Sequence, residues 1–163
     1  MMITNKLQEA INDQIQAELY SAYLYLAMST YCESQNLKGF AHWLKAQYNE
    51  ETSHAEKLME HLLDRGSRVV LKTLEAPPAE FGTPVEIFEK VLAHEQHVTA
   101  RIHNLYELAV AEKDYAAQIL LQWFITEQVE EEATASSILD KLKMIPEKSG
   151  ALFYMDKELG KRK

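Results

Sequence analysis

Glu51 and His54 lie three residues apart, so on a helix they place a carboxylate and an imidazole on adjacent turns of one face, both within reach of one cation. Glu18, Glu95, Gln128 and Glu131 stand in register with that pair. From Glu18 to Glu51 is 33 residues, and from Glu95 to Gln128 is also 33. The second half of the chain thus repeats the first with an offset of 77. Glu18 matches Glu95, Glu51 matches Gln128, His54 matches Glu131 and Glu50 matches Glu127. A single Glu-x-x-His is mostly chance, but four positions in register are not. Oxygen-rich donors with one imidazole suit Fe(II) or Mn(II) better than the sulfur-rich sites typical of structural zinc.

The elements that must position these groups read as helices. In the first, the seven-residue series Ile11, Glu18, Tyr25, Cys32 stays on one face. The second carries Leu44, Glu51, Leu58, and the third Phe88, Glu95, Ile102, Ala109. The fourth carries two neighbouring series, Leu121, Gln128, Ala135, Leu142 and Phe124, Glu131, Ile138, Ile145. Residues seven apart differ by about 20° around a helix, so each apolar stripe is interrupted near its middle by a polar group facing inward. Burying a charge costs about several kcal/mol, and repulsion among like charges adds to that. Protonation relieves the cost, because like charges raise each other's pKa, and a bound cation is the other relief. One Glu from each of two helices plus Glu-x-x-His motifs is how helical bundles hold paired metal ions.

The predicted helices span about 5–33, 37–65, 84–112 and 115–144, with a short fifth over about 148–159, all in one domain of residues 1–163. Asn36 is expected to cap the second helix and Gly66 to end it. Thr83, Pro84 and Glu86 form an N-terminal capping box with proline at the first helical position, Asp114 caps the fourth helix, and Pro146 ends it. Short loops join the first two helices and the last two, so each pair is an antiparallel hairpin. The 17 residues from Gly66 to Gly82 reach about 50 Å when extended, enough to traverse a helix of about 42 Å. The expected fold is therefore all-α: an antiparallel four-helix bundle with one long crossover between helices 2 and 3 and a short C-terminal helix. In each hairpin the paired positions are equidistant from the turn, which puts all four at one level.

Composition narrows the function. Gly (5) and Pro (4) are scarce, which favours helix. The formal charge of −8 disfavours nucleic-acid binding, which needs a basic face. One cysteine, Cys32, excludes an internal disulfide or a Cys-rich metal motif. No apolar run suggests a signal peptide or a membrane span, so a soluble, cytoplasmic protein is expected. The other histidines (His42, His61, His94, His97, His103) read as surface or packing residues. Three function classes remain: a protein that takes up metal ions without acting on an organic molecule, a catalytic di-iron or di-manganese enzyme acting on an organic substrate or peroxide, and a metal-free helical interaction protein with protonated glutamates.

The segments AELYSAYLY (17–25), FAHWLKAQYNEETSHAEKL (40–58), HEQHVT (94–99) and LQWFITEQVEEE (121–132) resemble the non-haem bacterial ferritins, and the likeness spans almost the whole chain. That resemblance implies iron storage in a homo-oligomeric 24-subunit shell, with Fe(II) and O2 or H2O2 as the substrates of a ferroxidase. It implies Glu18, Glu51 and His54 as ligands of a first iron, with Glu51 bridging to a second held by Glu95 and Glu131, and Gln128 close by. Glu50, Glu127 and Glu130 resemble a third, weaker iron site, and Tyr25 a tyrosine that supplies an electron to oxygen. The second hairpin has Gln128 and Glu131 where bacterioferritins carry a second Glu-x-x-His, which implies a looser second iron. Thr52 stands where the haem-binding methionine of bacterioferritins would be, so no haem is expected. The absence of Cys-x-x-Cys removes a rubredoxin-like module.

Overall fold

The computed structural model describes residues 2–146 and 149–163. Among these residues, four long helices and one short one account for the architecture: α1 (Asn5–Ser34), α2 (Lys38–Asp64), α3 (Pro84–Ala111), α4 (Tyr115–Lys143) and α5 (Ala151–Leu159). The expected start of the fifth helix, Lys148, lies outside the described residues. Among the described residues, no helix is long and apolar enough to cross a membrane.

Local chemistry sets most of the boundaries. Thr4 accepts a hydrogen bond from Leu7 N at 3.2 Å and Asp114 one from Ala117 N at 2.9 Å, so each satisfies a free donor at a helix start. The capping box at α3 is complete, with Glu86 N donating to Thr83 Oγ1 and Thr83 N to Glu86 Oε2. Three helices end through a left-handed residue, Asn36 (φ 60°), Gly66 (φ 68°) and Lys113 (φ 55°). In each case the next backbone N–H reaches back five residues: Leu37 to Cys32, Ser67 to Leu62 and Asp114 to Ala109, all at 2.9 Å.

Asn36 therefore does not cap α2, as the sequence suggested. It terminates α1, because asparagine tolerates the left-handed conformation that the reversal needs. The N-cap position of α2 falls to Leu37, which has no side-chain cap. The missing acceptor comes from far along the chain. Asp156 Oδ1, on α5, takes hydrogen bonds from Gly39 N at 2.9 Å and Phe40 N at 3.0 Å. The approach is so close that a Cβ on residue 39 would overlap the Asp156 carbonyl oxygen, so only glycine fits there.

The crossover from α2 to α3 is laid along α1. Asn12 Nδ2 donates to Arg68 O at 3.1 Å, and Asn12 Oδ1 accepts from Val70 N at 2.8 Å. Further on, Gln16 Nε2 reaches Thr73 O at 2.6 Å and Tyr31 Oη reaches Gly82 O at 3.0 Å. The strap thus follows α1 from its first turns to its last and delivers α3 antiparallel to it. Buried apolar side chains form two clusters. One holds Tyr25, Phe40, Leu44, Phe88 and Ala135, the other Ile11, Leu58, Val98, Leu121 and Phe124. Between them lies a polar layer.

Gly39→Ala should push α5 off α2. Overpacking of this kind costs about 1–3 kcal/mol. A lower melting temperature together with faster trypsin cleavage after Lys157 is the expected result.

Candidate metal centre

Each helix crosses the polar layer where its apolar stripe breaks. Glu51 sits between Leu44 and Leu58, which belong to opposite clusters, and Glu95 likewise between Val91 and Val98. Glu18, Glu51, His54, Glu95, Gln128 and Glu131 are all buried. Six polar side chains from four helices thus meet in the buried middle of the bundle.

The first hairpin leaves its donors open. Glu18 Oε1 accepts from Gln14 Nε2 at 2.8 Å. Glu51 Oε2 lies 3.3 Å from His54 Nδ1, and Glu18 Oε2 lies 4.0 Å from the same nitrogen. Among the described residues, Glu18 Oε2 and Glu51 Oε1 are buried oxygens with no hydrogen-bond partner. Buried polar atoms are nearly always paired, so two such oxygens on neighbouring carboxyls call for a proton, a water or an ion to satisfy them. Glu18, Glu51 and His54 each offer one atom within 4.8 Å of the others, which is metal-holding geometry. The imidazole is held edge-on by Trp123 and Phe124, at ring-centre distances of 5.4 and 5.8 Å.

The second hairpin is more fully satisfied. Tyr25 donates its hydroxyl to Glu95 Oε1, and Gln128 Nε2 donates to Glu95 Oε2 at 3.1 Å. Gln47 Nε2 donates to Glu131 Oε2 at 2.9 Å. A second metal-holding group forms around the far nitrogen of the same histidine: His54, Glu127 and Glu131, with His54 Nε2 and Glu127 Oε1 4.0 Å apart. Of the three acids assigned by resemblance to an outer site, Glu127 thus joins the interior group. Glu50 is ion-paired with Arg162 at 2.8 Å, and Glu130 is exposed and belongs to neither group.

Electrostatics follow burial. Burial pushes the Glu51 carboxyl well above its usual range, and the neighbouring Glu18 and Glu95 add to the effect. Burial also lifts Glu95 to about 7, against the hydrogen bonds from Tyr25 and Gln128 that favour its charged form. Glu131 is pushed up to about 8 by burial and by Glu95, despite the Gln47 hydrogen bond. The Tyr25 hydroxyl is likewise raised by burial and by Glu95 and Glu51, so it stays protonated.

Several contributors escaped sequence reasoning. Gln14 and Gln47 orient Glu18 and Glu131, and their spacing carried a signal: each precedes a site glutamate, Glu18 or Glu51, by one helical turn. His94 packs edge-on against Tyr25 at 5.9 Å, and its Nε2 is 2.7 Å from Ser21 Oγ. Burial lowers its pKa to about 4 and His97 adds to the drop, so this imidazole is neutral. It braces the tyrosine from the side.

Carboxyls raised in the folded state hold protons that the unfolded chain has lost. Their stabilising contribution is complete below the ordinary value of 4.5 and disappears as pH rises through about 7 and about 8. The metal-free protein should therefore melt at progressively lower temperature across that window. Added Zn(II) should reverse the trend and release protons, read by calorimetry in two buffers of different ionisation heat. Glu51→Leu removes an unpaired buried oxygen. It should stabilise the metal-free protein by about 1–3 kcal/mol and abolish the gain from Zn(II), both measured by denaturant titration.

A family model described as a ferritin-like domain matches residues 8–145. A bacterial non-heme ferritin of Bacteroides fragilis (strain 638R) is 45% identical over 161 residues, covering 99% of this chain and 100% of that relative. The bacterial non-heme ferritin of Staphylococcus aureus (strain MRSA252) is 40% identical over 161 residues, covering 99% and 97%. Among solved structures, an open pore ferritin from the hyperthermophilic archaeon Archaeoglobus fulgidus aligns with a TM-score of 0.97 and 50% identity, over 99% of this chain and 98% of that one. The match covers the whole bundle, crossover and terminal helix included, and the chain belongs to the ferritin family.

Proposed function

We propose that the protein stores iron: it oxidises Fe(II) within each subunit and deposits Fe(III) as mineral inside a hollow 24-subunit shell in the cytoplasm. The observation that carries this reading is the pair of unpartnered buried oxygens, Glu18 Oε2 and Glu51 Oε1, on two carboxylates that each bring an oxygen within 4.0 Å of His54 Nδ1. Iron here is substrate rather than resident cofactor. Its charge would replace the protons that otherwise let these carboxyls coexist.

Glu18, Glu51 and His54 take the first Fe(II), and Glu51 bridges to a second held by Glu95 and Glu131 beside Gln128. Each Fe(II) gives up one electron. Dioxygen takes the pair with two protons and leaves as hydrogen peroxide, or hydrogen peroxide takes them and leaves as two waters. Tyr25 can stand in for one Fe(II) as the source of one of the two electrons, leaving a tyrosyl radical, and its hydrogen bond to Glu95 gives the phenolic proton a place to go. The tyrosine touches that carboxylate directly, which makes its role catalytic in this scheme.

Loose tenure suits turnover. The neutral amide of Gln128 replaces a carboxylate, so the second Fe(III) is held less tightly and can move on toward the cavity. Glu50, Glu127 and Glu130 form a weaker station on that route, and a net charge of −8 favours cation accumulation. Thr52 offers no axial ligand to haem, so the shell works without it.

Fe(II) added to the purified apoprotein in air should be oxidised rapidly. Glu51→Ala and His54→Ala should each slow the reaction by at least about tenfold, the scale of losing an inner ligand or its support. Wild-type rates in both variants would reject the assigned centre. Sizing tests the assembly: 24 copies of an 18.8 kDa chain elute near about 450 kDa, whereas a di-iron enzyme acting on an organic substrate would be far smaller.

A further inference from the structure

Arg162 lies just beyond α5, far in sequence from every proposed ligand, yet its side chain reaches the polar layer. One terminal nitrogen, Nη1, donates to Trp43 O at 3.2 Å. The other, Nη2, donates to Gln47 Oε1 at 2.6 Å and Glu50 Oε2 at 2.8 Å. The guanidinium is stacked over the Trp43 ring at 4.5 Å, and the Arg162 carbonyl oxygen lies 2.6 Å from His42 Nε2. The tail is therefore fixed by main-chain, stacking and charge contacts together.

A guanidinium has donors only, so Gln47 must turn its carbonyl oxygen toward Arg162. The amide nitrogen then has one direction left, and it donates to Glu131 Oε2 at 2.9 Å. The same order of groups recurs across the layer, where Arg101 Nε donates to Gln14 Oε1 at 3.3 Å and Gln14 Nε2 to Glu18 Oε1 at 2.8 Å. Gln14 and Gln47 are 33 residues apart, the spacing of Glu18 and Glu51. In both relays an arginine at the edge sets an amide, and the amide sets a carboxylate.

We propose that Arg162 is a positioning residue of the metal centre: it orients Gln47 to hold Glu131, and it serves Glu50 as a counter-cation that an outer metal ion must displace. This rests on the reading of Glu131 and Glu50 given above. Two consequences of opposite sign follow. Without Arg162, Glu131 loses its oriented donor, and the second metal of the centre binds more weakly. Glu50 meanwhile loses its competitor, and the outer metal binds more tightly. A general loosening of the bundle would weaken both.

The test is anaerobic titration of the assembled protein with Co(II) alone, followed by calorimetry and visible absorption. It compares wild type, Arg162→Ala, Gln47→Met, the double variant and Glu50→Gln. Arg162→Ala should weaken the second interior Co(II) by about threefold to tenfold, the scale of one hydrogen bond. It should tighten the outer Co(II) by about twofold to fivefold, the scale of one exposed ion pair. In the Gln47→Met background the interior effect of Arg162→Ala should vanish, because the two residues act in series. With Glu50→Gln the outer tightening should vanish. Arg162→Ala affinities equal to wild type, shifts of the same sign at both sites, or full additivity with Gln47→Met would each overturn the proposal. A wild-type protein that binds fewer than two Co(II) per subunit would instead overturn the metal-centre reading itself.

Discussion

Carboxyl groups from α1, α2, α3 and α4 occupy one level of a buried core, and the rest of the molecule is arranged around that fact. Two apolar clusters lie on either side of the layer and supply the packing that tolerates it. Within the layer, burial and mutual repulsion raise Glu51, Glu95 and Glu131 so that they hold protons far above the ordinary carboxylate range. Protons and a divalent cation are alternative ways of neutralising the same groups. Stability, pH and metal occupancy are therefore one linked equilibrium.

The two hairpins divide the work unequally. Glu18 and Glu51 each keep an oxygen with no partner, and both carboxylates lie beside one nitrogen of His54. Glu95 has both oxygens engaged, by Tyr25 and Gln128, and Glu131 is held by Gln47. A cation arriving at the first hairpin meets groups that gain partners, whereas one arriving at the second must displace hydrogen bonds already made. That asymmetry is the basis for the proposed difference between a first ion held tightly and a second that passes on. His54 stands at the junction, with one nitrogen toward each side of the layer.

The scaffold keeps the layer in register through contacts that are remote in sequence. The crossover is tied to α1 at Asn12, Gln16 and Tyr31, which sets the direction of α3. The start of α2 is capped by Asp156 rather than by its own flank, so the short C-terminal helix is part of the bundle's structure and not an appendage. The same helix leads into Arg162, whose contacts with Gln47 and Glu50 extend its influence to the edge of the centre.

Sequence alone determined the features that depend on geometry within one helix or one hairpin. Heptad spacing puts Glu18, Glu51, Glu95 and Gln128 on buried stripes because seven residues nearly complete two turns. Equal spacings of 33 put them at one height because each pair is equidistant from its turn. Thr83 and Glu86 announced the start of α3 because a capping box is made from neighbours. Only the tertiary structure decided which oxygens stay open, that Glu127 gathers with His54 and Glu131 while Glu50 is claimed by Arg162, and that Asp156 caps a helix 117 residues earlier. Those outcomes turn on which side chains from separate helices meet, and a hydrogen bond between groups far apart in the chain leaves no periodic trace in the sequence.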